Sequence, residues 1–178
     1  MIGYLHIIFK LFPKFIMDFV WSSFDSSESK IALLFRLMYL KKYCKYVGGI
    51  VYVGKHTNLK NINNLSIGDN VSIHSFVYLD AFGEIVIEDN VSIANHTTLI
   101  SSDHTWKDKS IPIKYNDVIA KPIHIGQDVW IAAGCRILGG VKIEPRTVVG
   151  AGCIVNKDLD GNSLYVGVPA RWVKYLDV

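Results

Sequence analysis

Residues 125–159 read IGQDVWIAAGCRILGGVKIEPRTVVGAGCIVNKDL, and an aliphatic residue returns in them at every sixth position: Ile125, Ile131, Ile137, Ile143, Val149 and Val155. A small or compact residue follows four places after each of the first five, at Val129, Cys135, Val141, Thr147 and Cys153. Strand alternation has a period of about 2 and an α-helix one of about 3.6, and neither sustains a period of six. A chain that turns a corner every six residues does, because it sends one aliphatic side chain inward per flat face. The stretch is therefore expected to be a coil of short parallel strands, each rung covering the one below. Gly126, Gly134, Gly139, Gly140, Gly150 and Gly152 are spread through it where corners need unusual backbone or close approach. The alternative is a two-sheet sandwich with glycine-rich turns, but sandwich strands do not hold a fixed period over six consecutive units.

The same pattern extends towards the N-terminus. It begins imperfectly at Val53 with VGKHTN and LKNINN, then runs clearly from Ile67 (IGDNVS), Ile73 (IHSFVY) and Leu79. A two-residue slip at FGEIV resets the phase and predicts a bulged corner, after which Ile87 (IEDNVS), Ile93 (IANHTT) and Leu99 resume it. Asn70 and Asn90 occupy equivalent positions, where a side chain that tolerates left-handed backbone suits a tight turn. Between Leu99 and Ile125 the period fails. The segment ISSDHTWKDKSIPIKYNDVIAKPIH is polar, carries Pro112 and Pro122, and is too long for one rung, so residues 101–121 are expected to leave the coil as a loop. A long loop on a regular scaffold gains no packing by itself, which makes it a candidate for function.

Residues 1–50 do not repeat and form an expected N-terminal helical region ahead of a coil domain over 51–178 with a short C-terminal extension. MIGYLHIIFKLFPKFIMDFVW is apolar, but Lys10, Pro13, Lys14 and Asp18 interrupt it before it reaches the ~20 residues that span a bilayer. It also lacks a small-residue cleavage site of the secretory kind. A second helix is expected from Glu28 to about Lys45, capped by Ser26 or Ser27, with Ile31, Leu34, Phe35, Met38 and Tyr39 on one face. These helices either pack on the coil or a neighbouring subunit, or lay residues 1–21 on a membrane surface.

The formal charge of +3 is slight and the basic residues are scattered, so the footprint of a nucleic-acid binder is missing. Cys44, Cys135 and Cys153 are an odd set without CxxC spacing and suit core thiols in a reducing cytoplasm. Six histidines, His6, His56, His74, His96, His104 and His124, raise the question of zinc, but their spacings include no close ligand pair, and no metal is expected.

The hexads, the VWIA step at Val129–Ala132, the VVGAGCIVNKD run and the closing VGVPARWVK resemble the hexapeptide-repeat acyltransferases, within them the galactoside, maltose, capsule and lipopolysaccharide O-acetyltransferases. The resemblance covers about Val53 to Leu176. It implies a left-handed parallel β-helix, a homotrimer, and acetyl-CoA as donor to a hydroxyl of a sugar or polysaccharide precursor, in the cytoplasm or at the inner face of the membrane. General connection rules would have favoured the right-handed crossover, so the hand comes from the resemblance alone.

Residue roles follow from the same resemblance. His104, in SSDHTW at the mouth of the loop, matches the catalytic histidine. A sugar hydroxyl is a weak nucleophile, and a neutral imidazole in hydrogen-bond reach is the base it needs. Charge on the thioester oxygen would be met by backbone N–H at Ala133 or Gly134. Relatives often carry serine where Ala133 stands, so a side-chain contribution is absent. Asp103 adjoins the base; it either fixes the imidazole or shapes the turn, and consecutive side chains usually diverge. Trp130 is large for an outward position and is expected at an interface or active-site wall, beside the histidine of a neighbouring chain. Asp80 and His74 are candidates for the acceptor side, with a solvated corner as the alternative. Ala133, Ala151, Lys157, Arg171 and Lys174 are candidates for binding CoA, the three cations for its phosphates. An N-acyltransferase of amino sugar nucleotides and a non-catalytic trimeric scaffold are the competing functions.

Overall fold

The computed structural model describes residues 12–176, and the expected contacts of the segment 1–11 lie outside the described residues. From Tyr46 onward the chain winds into a left-handed parallel β-helix of about six turns. Its strands stack into three sheets, which are the three faces of the coil. The first face holds 46–47, 65–67, 85–87, 123–125 and 142–143; the second holds 51–53, 71–73, 92–93, 130–131, 147–149 and 163–166; the third holds 58–60, 78–80, 98–100, 136–137 and 154–155. Ile67, Ile87, Ile125 and Ile143 pair in register down the first face and are almost wholly buried. Each such side chain withdraws apolar surface worth about 1.5–3 kcal/mol, and identical neighbours above and below leave it no gap.

The corner between the first and second faces repeats a left-handed residue, at Asn70, Asn90, Asp128 and Arg146. Asn70 donates to the Asn90 side chain at 2.8 Å, so the expected turn role of this pair is seen directly. The slip at FGEIV is the bulged corner anticipated, with Glu84 at φ 82°. It is not isolated. Tyr46 pairs with Ser66 and Ser66 with Val86, twenty residues apart, whereas Trp130 pairs with Val148 at eighteen. The corner between the third and first faces is thus two residues longer in the early rungs, through a 3-10 turn at Ile62–Asn64 and through Phe82–Glu84, which explains the faint hexads near LKNINN. The long loop 101–121 issues from this same corner.

Two helices close the N-terminal end of the coil: α1 (Lys14–Ser23) and α2 (Lys30–Tyr43). The cap of α2 is Ser29, whose hydroxyl accepts from the Ala32 N–H, rather than Ser26 or Ser27, and the helix is shorter at both ends than expected. Its buried face also differs. Phe35, Met38 and Tyr39 are buried together with Ala32, Arg36 and Leu40, while Ile31 and Leu34 face solvent. The helical spacing was right and its phase was set by Arg36, a residue 1 % exposed whose guanidinium donates to the carbonyls of Val53, Phe24, Asp25 and Ser27 at 2.8–3.1 Å. Those carbonyls belong to the helix connection and the first rung, so one side chain ties α2 to both. Among the described residues no helix is long and apolar enough to cross a membrane.

Cys135 and Cys153 fill inward positions and Cys44 is half-buried; burial pushes the Cys44 thiol up to about 12 and raises the other two. After Val166 the chain reverses, and 171–175 returns antiparallel to 163–166 as the last strand of the second face.

Candidate active site

The loop is a hairpin, with Ser102–His104 antiparallel to Val118–Ala120 and His104 opposite Val118. Its neck is closed from below. The buried Ser101 hydroxyl donates to the Asp80 carbonyl at 2.9 Å and accepts from the Gly83 N–H at 2.9 Å, while Lys121 N–H donates to the Ser101 carbonyl at 2.8 Å. Gly83 is required here, since a Cβ would stand 2.1 Å from the Ser101 oxygen. The tip is braced by Asn116, which accepts from Asp108 N–H and donates to the carbonyls of Asp108 and Pro112. Polar sequence concealed both braces, because Ser101 and Asn116 look like ordinary loop residues until their burial is known.

His104 therefore stands exposed on a held strand just above the neck, and among the described residues its imidazole has no hydrogen-bond partner. Asp103 does not orient it and does not shape a turn. Its carboxylate takes Lys121 Nζ at 2.8 Å, an ion pair that holds the carboxyl below its usual range and fastens the two strands of the neck. Asp80 lies beside the same corner and accepts from Asn61 Nδ2 at 2.6 Å and from Phe82 N–H at 3.1 Å, so it serves the bulged corner.

The other candidates lie elsewhere on the coil. Trp130 projects from the second face between Ser92 and Val148, 52 % exposed, over a cleft of about 350 Å³ that also includes Asn90, Asp128, Arg146 and Leu176. In a three-faced coil the second face is opposite the corner that bears the loop, so Trp130 and His104 cannot meet within one chain. His74 is at the far edge of that same face, its ring 5.6 Å from Tyr52. Phe76 is at the corner between the second and third faces, Tyr78 on the third and Trp130 on the second.

Ala133, Gly134, Ala151 and Gly152 form two successive turns at the corner between the second and third faces. Gly134 at φ 74° and Gly152 at φ 72° occupy the left-handed place of each turn. The Gly134 N–H donates to the Asn95 carbonyl and the Gly152 N–H to the Ala133 carbonyl, both at 2.9 Å. Gly134 is consequently not an available donor, contrary to one sequence expectation. The Ala133 and Ala151 N–H groups, one position earlier, have no partner among the described residues and stand one rung apart on the outside of the corner.

The three cations do not gather. Lys157 follows the third face, whereas Arg171 and Lys174 lie on the returning strand of the second. Among the described residues no group of three or more His, Cys, Asp or Glu is arranged to hold a metal ion.

Residues 122–157 match the bacterial transferase hexapeptide family (six repeats). Galactoside O-acetyltransferase of Escherichia coli K12 is 33 % identical over 115 residues, which cover 65 % of this chain and 56 % of that protein. The chain spans about half the length of the curated relatives it matches. Among solved structures, a hexapeptide-repeat acetyltransferase of Vibrio cholerae in complex with acetyl coenzyme A superposes with a TM-score of 0.79 at 26 % identity, covering 91 % of this chain and 86 % of that one. An N-acyltransferase of Bacillus cereus, solved with dTDP and 3-hydroxybutyryl-CoA, gives 0.64 at 25 % identity, covering 80 % and 88 %.

Proposed function

Because the chain belongs to the hexapeptide-repeat transferase family, we propose that it is an acetyl-CoA-dependent O-acetyltransferase acting on a hydroxyl of a sugar or polysaccharide precursor, as a homotrimer. The observation that carries this is the split of the chemistry over one chain. An exposed imidazole stands on a braced loop at one corner, and an unpartnered N–H at Ala133 and the exposed Trp130 stand elsewhere on the coil. A second copy that sets its loop against the first copy's Trp130 and Ala133 completes the site, and head-to-tail contacts of this kind close into a ring at three.

In the completed site His104 accepts the proton of the acceptor hydroxyl as its oxygen attacks the thioester carbonyl carbon. The carbonyl oxygen takes up the negative charge and receives the Ala133 N–H. Collapse of the tetrahedral adduct breaks the C–S bond; the CoA thiolate recovers the proton from the imidazolium, leaving the acetyl ester and free CoA. In this reading the Ala151 N–H, one rung further on, holds an amide of the pantetheine arm, and Arg171 meets a phosphate beyond it.

CoA thiol release over a panel of hydroxyl and amino sugars tests the assignment. His104→Ala should lower turnover on the best acceptor by roughly 10²–10⁴-fold, the worth of a positioned base, without a change in melting temperature. Undiminished turnover in His104→Ala would remove the base assignment. The likeness to the Bacillus cereus N-acyltransferase supports a second reading, in which the acceptor is the amine of an amino sugar nucleotide. Preference for amino over hydroxyl sugars in the same panel would select it.

A further inference from the structure

The corner that carries Ala133 holds a feature that the transfer chemistry does not use. At the left-handed place occupied by Gly134 and Gly152 in the later rungs, the first three rungs carry His56, Phe76 and His96, at φ 54°, 63° and 60°. Left-handed backbone is uncommon for any residue with a side chain and a distinct outlier for a bulky one. Glycine is the residue such a corner favours, and this chain uses it two rungs running. The rings nevertheless stack into a column: His56 on Phe76 at 4.9 Å between centroids and 28°, Phe76 on His96 at 4.8 Å and 9°. The base of the column is anchored, since His56 Nδ1 lies 2.8 Å from the Asp25 carboxylate and its backbone N–H donates to the Asp25 carbonyl at 3.0 Å. Phe76 is 45 % exposed, so the column stands at the surface rather than in the core. The left-handed backbone is shared with the other corners, at Asn70, Asn90, Asp128 and Arg146, and it is the stacked rings that set this corner apart.

Above His96 the column stops. A Cβ on Gly134 would meet nothing nearer than 4.0 Å and one on Gly152 nothing within that distance, so the corner is open beside the free N–H groups of Ala133 and Ala151. A thioester whose oxygen is held by Ala133 and whose pantetheine arm runs past Ala151 has its acyl tail directed the other way, at the face of His96 turned from Phe76, beside the Arg136 guanidinium that donates to the His96 and Gly134 carbonyls at 2.8 and 3.0 Å. Successive rungs are about 4.8 Å apart, and a carbon approaches a ring no closer than about 3.5 Å. Along the coil axis that interval leaves a tail little more than a methyl group before it meets His96.

We propose that the His56–Phe76–His96 column limits the length of the acyl group this protein accepts, with His96 as the residue the tail meets. The inference rests on the acyl-CoA reading above, and it selects the two-carbon acyl group by a feature of this chain rather than of the fold. Phe76 and His56 act behind it, by preventing His96 from giving way.

The test is the binding of acetyl-CoA and butyryl-CoA to the full chain by isothermal titration, which needs no acceptor. Wild-type protein should favour acetyl-CoA by roughly tenfold or more, as expected when surplus methylenes meet a fixed wall. His96→Gly extends the glycine run at a backbone conformation that glycine prefers, and should bring the affinity ratio to within about threefold. Phe76→Gly, which removes the support but keeps His96, should give an intermediate ratio and guards against a folding defect in the first variant. Equal affinities in the wild type, or an unchanged ratio in both variants, would overturn the proposal. If the wild type bound neither acyl-CoA, the acyltransferase reading would fall, and this inference with it.

Discussion

At the scale of single residues, the most exacting test falls on a backbone atom. The Ala133 N–H is free in a turn whose third residue, Gly134, has the positive φ of a type II turn, and proline is favoured at the second place of that turn. Ala133→Pro therefore removes the donor and little else. Turnover should fall by roughly 10²–10³-fold, the usual cost of one oxyanion donor, with melting temperature within a degree or two of wild type. Unchanged turnover, followed by CoA thiol release, would take the thioester oxygen away from Ala133. Gly134 offers no such test, because its N–H is already spent on Asn95. Trp130 was legible as an unusual residue from the hexad register, since it departs from what its position carries elsewhere, whereas His104 lies outside the hexads and was marked by family likeness. Asp103 was not, because whether a carboxylate turns to its neighbour or across a hairpin to Lys121 depends on strand pairing that no local spacing reveals.

At the scale of elements, the coil is stabilised by like stacked on like, whereas the N-terminal helices depend on particular polar anchors. Arg36 supplies four hydrogen bonds to main-chain carbonyls at the junction of α2 with the coil. Losing a buried charged donor leaves those carbonyls unsatisfied, and Arg36→Ala should destabilise the protein by about 3 kcal/mol. Urea unfolding should show it, and a loss below about 1 kcal/mol would mean that water replaces the guanidinium. The same element shows why its buried face was misplaced from sequence. Ile31 and Leu34 look like core residues and Arg36 like surface, but the first rung presents carbonyls at its end as well as apolar side chains, and only a cation in that place satisfies them.

At the scale of the whole molecule, the division of His104 from Ala133 and Trp130 makes a prediction that a self-contained site would not. His104→Ala and Ala133→Pro chains are each nearly inactive alone. Co-refolded in equal amounts, they should assemble trimers in which some sites draw His104 from one variant and Ala133 from the other, giving back about a quarter of the wild-type rate per chain. Rates that stay at the level of the separate variants would place the whole site within one chain, and light scattering on the same samples would show whether trimers had formed.

The sequence by itself determined the coil, because an inward aliphatic every six residues admits no other regular structure, and it located the loop as the place where the period fails. It also marked His104, whose role came from family likeness. The tertiary structure decided what spacing cannot express. It showed that two short insertions and the long loop leave by one corner, that Arg36 rather than Leu34 faces the coil, and that Lys157 is apart from Arg171 and Lys174. It brought His56, Phe76 and His96, twenty residues apart from one to the next, into a single column. The physical reason is common to all of these. Inward positions are fixed by the local hydrophobic period, but the outer surface is assembled from residues a full turn apart, and which of them become neighbours depends on the number of residues in every corner between them.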